Sequence, residues 1–180
     1  MKSLLKVFLT SCLLILILPA KAYSLGAGIQ LGAVPGVLIN QDDIKFEELT
    51  ANVTGTFKLE RLPVTAGTGL EFGKLYSDFN YGFSAFADYR TIDIQIVNTW
   101  SLYSGFGASA KFLTDDFKDW SFAAGARFFA GVNTLFYDGY LELYAQQNFV
   151  PTYLKKLGQG DSDASFMLCF PLEAGIRMHF

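Results

Sequence analysis

Eight stretches of this chain alternate with period two, and in none of the eight does the apolar face, which is rich in aromatics overall, carry a charge. They are Leu25–Ala33, Leu49–Glu60, Val64–Gly73, Tyr81–Arg90, Trp100–Phe112, Trp120–Asn133, Leu141–Phe149 and Phe166–Phe180. In the sixth, Trp120, Phe122, Ala124, Ala126, Phe128, Ala130 and Val132 share one face, and Ser121, Gly125, Arg127, Gly131 and Asn133 the other. In the last, Phe166, Leu168, Phe170, Leu172, Ala174, Ile176, Met178 and Phe180 oppose Cys169, Pro171, Glu173, Gly175, Arg177 and His179. A half-buried sheet in a soluble sandwich turns its apolar face inward and its charges to water. Here the charges lie on the face with small and polar residues, so the apolar face is the one that meets the solvent. That inversion fits strands whose outer solvent is lipid.

The segments match the ~9–11 residues that a tilted strand needs to cross a bilayer. Within lipid every backbone N–H and C=O must be paired, so such strands have to close on themselves. Arg61-Leu62-Pro63 and Tyr137-Asp138-Gly139-Tyr140 read as tight turns, the second with Asp-Gly turn chemistry. A two-residue turn at Asp138-Gly139 pairs Asn133 with Tyr144, both on the inner face. Residues 35–47, 74–79, 113–119 and 151–165 read as longer, acid-rich links. Aromatic residues near the strand ends, among them Phe72, Tyr81, Trp120, Phe57, Tyr89 and Trp100, suit two membrane interfaces. The expected fold is an all-β, eight-stranded antiparallel up-and-down transmembrane barrel, with short periplasmic turns and longer surface loops.

Thr91 to Thr99 breaks the pattern. Carrying the parity of Tyr81–Arg90 onward would put Asp93 and Gln95 into lipid. A bulge or turn near Arg90-Thr91 is therefore expected, with Asn98-Thr99 turning into the next strand.

The first 22 residues have the layout of a cleaved secretory signal: Lys2 and Lys6, an apolar run from Val7 to Pro19, then Ala20-Lys21-Ala22. A retained helix and a lipoprotein box at Leu9-Thr10-Ser11-Cys12 are the alternatives. The first has too short an apolar run, and the second has apolar residues continuing past Cys12. The barrel domain then covers residues 23–180. Removing the signal takes Lys2, Lys6 and Lys21 from the 14 basic residues and none of the 17 acids. The acidic remainder offers no phosphate-neutralising surface, so no nucleic-acid partner is expected. Cys169 is left without a disulfide partner and reads as a small buried hydrophobe.

The terminal run Glu173-Ala174-Gly175-Ile176-Arg177-Met178-His179-Phe180 resembles the C-terminal signal read by the barrel-assembly machinery, through Ala174, Ile176, Met178 and Phe180. The length and apolar first strand are similar to small outer-membrane barrels of the OmpW/OprG type and to OmpX. Tyr103-Ser104-Gly105-Phe106-Gly107, Gly125-Ala126-Arg127 and Leu141-Glu142-Leu143 resemble strands of OmpW-like barrels in spirochaetes. The resemblance implies an outer-membrane location and passive passage of small, often hydrophobic, molecules. Outer-membrane lipid, the assembly machinery and a small apolar solute are the implied partners, with the barrel a monomer. A surface-exposed structural or adhesive protein acting through its loops is the alternative.

The inner face holds nearly balanced charges: Lys58, Arg90, Lys111, Arg127 and Arg177 against Glu60, Glu71, Asp88, Glu142 and Glu173. With strands running alternately up and down, Glu71 and Lys111 fall near the surface end, and Arg127 and Glu173 near the middle. Lys58, Glu60, Asp88, Arg90, Glu142 and Arg177 fall towards the periplasm. Each layer holds both signs, which predicts a plugged lumen. Pro171 cannot donate to a strand ladder, and Pro151 reads as the end of the seventh strand. Together they suggest a lateral seam, with a bulge or edge adjustment and no opening as the alternative. Enzyme activity is not expected, because His179 is the only His and no nucleophile–His–acid set can form at the outer rim. The loop acids Asp42, Asp43, Glu47, Glu48, Asp78, Asp115, Asp116, Asp119, Asp161 and Asp163 lack the ordered spacing of a calcium loop. They read as a solvated charged surface. Neither a metal nor a cofactor is expected.

Overall fold

The computed structural model describes residues 25–39, 44–59, 62–75, 78–114, 120–157 and 164–180. The expected signal segment and Glu60 lie outside the described residues, as do the loop acids Asp42, Asp43, Asp115, Asp116, Asp119, Asp161 and Asp163. The strands are β1 (Leu25–Ile39), β2 (Ile44–Leu59), β3 (Val64–Leu75), β4 (Asp78–Val97), β5 (Trp100–Thr114), β6 (Trp120–Phe136), β7 (Leu141–Leu157), β8 (Ala164–Cys169) and β9 (Leu172–His179).

Each of β1 to β6 pairs antiparallel with its successor, and both β8 and β9 lie between β7 and β1. The register is unchanged across the gap at Phe170-Pro171. Val150 faces Cys169 and Gln147 faces Leu172 on one side; Gly36 faces Cys169 and Ala33 faces Leu172 on the other. β8 and β9 are therefore halves of one eighth strand, interrupted because Pro171 has no N–H to give. The result is a closed eight-stranded antiparallel barrel.

Its strands are strongly tilted. Leu25 exchanges backbone bonds with Phe180. From Leu25 the paired neighbours run Leu59, Val64, Tyr89, Phe106, Phe128 and Phe149. Phe149 stacks on Phe170, so the circuit returns ten residues away from Phe180. A stagger of that size tilts the strands by roughly 35–45° to the barrel axis.

The positions expected to face out all do so: none of them is buried. Gln30, Thr54, Asp88, Tyr103, Arg127, Glu142, Tyr144 and Glu173 are buried inside. The Asp138-Gly139 turn pairs Asn133 with Tyr144 as expected. It places Asp138 at φ 55° and Gly139 at φ 90°, the left-handed backbone that Asp-Gly tolerates best.

The irregular stretch after Arg90 contains the expected bulge. β4 slips one residue against β5 between Arg90 and Ile92, so Ile92 and Ile94 oppose outward Ser104 and Leu102. Asp93 and Gln95 then oppose inward Tyr103 and Ser101. A single extra residue, Thr91, thus keeps the carboxylate and amide off the outer face.

Two readings need correction. Pro151 does not end the seventh strand: β7 continues through it to Leu157. The long links are also shorter than expected, because β1, β5, β7 and β8 continue beyond the alternating segments. Their inward residues near the loop end are mostly apolar, with Thr152 a polar exception, its hydroxyl donating to the Val150 carbonyl. Val34, Leu113, Ala123, Val150, Leu154, Met167 and Cys169 form one buried cluster. A strand that is apolar on both faces loses the alternation by which it would be read.

Candidate functional site

Among the described residues, the lumen gathers the chemistry-bearing side chains, because inward parity delivers a residue from every strand. It is organised in tiers from the turn end, which holds Leu25 and Phe180, to the loop end.

At the turn end Glu142 of β7 is fully buried and is the hub. Arg177 Nη1 lies 2.7 Å from Glu142 Oε2, Lys58 Nζ 3.3 Å from Oε1, and Arg90 Nη2 3.5 Å from Oε1. Asn133 donates to Oε1 at 2.8 Å, and His179 Nε2 lies 3.0 Å from Oε2. Arg90 also reaches Asp93 at 3.0 Å, so the bulge recruits a second carboxylate. Two guanidinium groups lie over aromatic rings: Arg90 is 3.8 Å from the Tyr103 centroid, and Arg177 is 4.5 Å from that of Tyr144. These rings close the lumen as well as holding the cations. A Cβ at Gly131 would fall 2.6 Å from the Tyr103 ring, so only glycine lets that ring lie against the wall.

The middle tier centres on Arg127. Its Nε bonds Asp88 Oδ1 at 2.9 Å, and Nη2 bonds Glu173 Oε2 at 2.9 Å. Gln146 and Asn148 each donate to the same Glu173 oxygen at 2.9 Å. Asp88 therefore belongs beside Arg127 in the middle, not towards the turn end where its strand position suggested. The register explains the shift: Asp88 pairs with Gly107 and Gly107 with Arg127, so the two charges share one rung across a residue with no side chain between them. Nearer the loop end, Lys111 Nζ lies 2.6 Å from Glu71 Oε1, to which Thr50 also donates. Beside this pair begins the apolar cluster of Val34, Val150, Leu154 and Cys169.

Little space remains between these groups. Two lumen cavities, one bordered by Arg127 and Glu173 and one by Tyr103 and Arg177, measure about 20 and 10 Å³. A void needs ~10–15 Å³ to hold a single water. Below them, a basin of about 750 Å³ opens at the turn end, bordered by Lys58, Arg90, Asp93, His179 and Phe180.

Of the other sequence-predicted residues, Ala174, Ile176, Met178 and Phe180 lie exposed on the outer face of β9 and the terminus. Pro151 is half-buried in β7, and Pro171 is buried at the break in the eighth strand. Sequence reasoning missed Asn133, Gln146, Asn148 and Tyr103 as network members. Their inward parity was visible, but neutral groups give no sign of a charged partner across the barrel.

No protein-family model matches the chain, and no curated protein matches it. Among solved structures it is similar to Neisserial surface protein A, with a TM-score of 0.55 at 16% identity, covering 86% of this chain and 97% of that one. That likeness shows the fold: an eight-stranded barrel of the outer-membrane kind. Two further matches are looser. Ail of Yersinia pestis has a TM-score of 0.43 at 12% identity, covering 86% and 99% of the two chains. A major outer membrane protein of Thermus thermophilus has a TM-score of 0.40 at 11% identity, also covering 86% and 99%.

Proposed function

We propose that this chain is an outer-membrane barrel protein, OmpW-like in role, that passes small apolar molecules from the cell surface into the membrane without an aqueous pore. The division of the lumen carries this reading. Towards the turn end it is filled by ion pairs around Glu142 and Arg127. Towards the loop end its lining is mostly apolar, with Val34, Leu113, Leu154 and Met167 beside the buried hydroxyl of Thr152. An apolar solute would be accepted by the upper half and refused by the lower, so its exit has to be sideways. Pro151 and Pro171 mark the wall beside that upper half as the place of exit. The outer face of the alternating segments carries no charge, and with Ile29, Leu31, Phe83 and Leu172 more than half exposed it is what a bilayer would cover.

The alternative, a structural or adhesive surface protein, is favoured by the tight packing of the upper lumen, where the buried cluster shows no more than a few per cent exposure. Purified protein in liposomes separates the two. Saturable uptake of apolar solutes with no ion conductance supports passage. Binding of a host ligand with no uptake supports the surface role.

A further inference from the structure

Gln147 of β7 points out of the barrel among apolar neighbours, where an amide is costly unless it is bonded. Its side-chain nitrogen lies 3.0 Å from the Phe170 carbonyl oxygen and 3.2 Å from those of Asn148 and Pro171. The first two are carbonyls that prolines deprive of a donor. Asn148 N–H donates to the Pro171 oxygen at 2.8 Å, but the return bond to the Asn148 oxygen would need an N–H on Pro171. Phe170 N–H donates to the Pro35 oxygen at 2.9 Å, and the return bond would need an N–H on Pro35. An amide has two N–H groups, and two carbonyls need them.

A third proline lies beside these. Pro151 faces Leu168, and the β6–β7 ladder skips Ala126 and Arg127 where Pro151 and Val150 pass. β1, β7 and the eighth strand thus each carry a proline in one patch of wall. An unpaired carbonyl there, facing hydrocarbon, has no water to turn to.

We propose that Gln147 is a clasp: one side chain that stands in for two missing backbone donors and holds β7, the eighth strand and β1 together at this patch. When its amide swings away, the wall opens here first. The clasp concerns how the wall is held and stands whether or not a solute crosses it. It does give the proposed sideways exit a defined position and a defined bolt.

Cys169 reports on it. The thiol is buried, lies next to Phe170 in sequence and faces Val150 and Gly36 across the ladder. In full-length protein carrying Cys12→Ser and folded into lipid vesicles, Gln147→Leu is expected to raise the rate at which a membrane-permeant maleimide labels Cys169 by about tenfold, the effect of stranding polar groups once bonded. The same change in a Pro35→Ala/Pro171→Ala background, where the backbone donors are restored, is expected to alter the rate by less than about twofold. No change in the single variant, or an equal rise in both backgrounds, would overturn the clasp. If Gln147→Leu does not fold, recovery of a folded barrel in the triple variant supports the clasp. Failure of the triple variant where Pro35→Ala/Pro171→Ala alone folds refutes it.

Discussion

The two halves of the lumen are built on opposite principles. The half near the turns is a lattice of charges in which one buried carboxylate, Glu142, meets Lys58, Arg90 and Arg177. The half near the loops is a small hydrophobic core, in which Leu154 and Val34 pack on Met167 and Cys169. The same wall encloses both, so the difference lies wholly in the inward residues. The polar half gains specificity, since each charge fixes the position of the others, and it carries the penalty of burying ions. The apolar half is held by close packing instead, with no member of its cluster more than 5% exposed. A barrel in which both halves resist substitution, the lower half more strongly than the upper, is what this contrast predicts.

The sharpest way to break the comparison is to remove the hub. Glu142→Gln leaves three cations without their shared carboxylate and is expected to cost about 3–5 kcal/mol. In detergent this is read as loss of the compact, heat-modifiable band. Little change would mean that the cations are solvated from the basin below. Leu154→Ala in the upper half comes next, at about 2–4 kcal/mol if the cavity cannot collapse. Its unfolding midpoint in urea, compared with wild type, shows whether the apolar half carries weight or is slack. A loss under about 1 kcal/mol would show that the upper lumen already yields. The smallest effect is expected at Tyr103→Phe, which removes the 3.1 Å bond to Gln146 but keeps the ring beneath Arg90. A loss of about 1 kcal/mol in the same titration fits a single neutral hydrogen bond.

The contrast also explains what could be read from the chain. Where the inner face is polar, as along Glu142, Tyr144, Gln146 and Asn148, parity alone places every side chain. The ionic residues were legible for that reason. Beyond Phe149 the inner positions run Val150, Thr152, Leu154 while the outer ones run Pro151, Tyr153, Lys155, so polar and apolar residues no longer sort by face and the strand reads as a link. Asp88 shows a second limit. Its face was legible but its height was not, because height depends on the stagger accumulated around the barrel. Gln147 shows a third. An amide on the lipid face reads as an exception until the register brings Pro35 and Pro171 beside it.

The central claim is that the lumen is filled by paired side chains and conducts nothing in its resting state. Single-channel recording of the unmodified protein in a planar bilayer tests it most directly. The filled lumen predicts no steady current, with conductance emerging in Arg127→Ala, where Asp88 and Glu173 lose the guanidinium that ties them together. A steady ohmic conductance in the unmodified protein would contradict it.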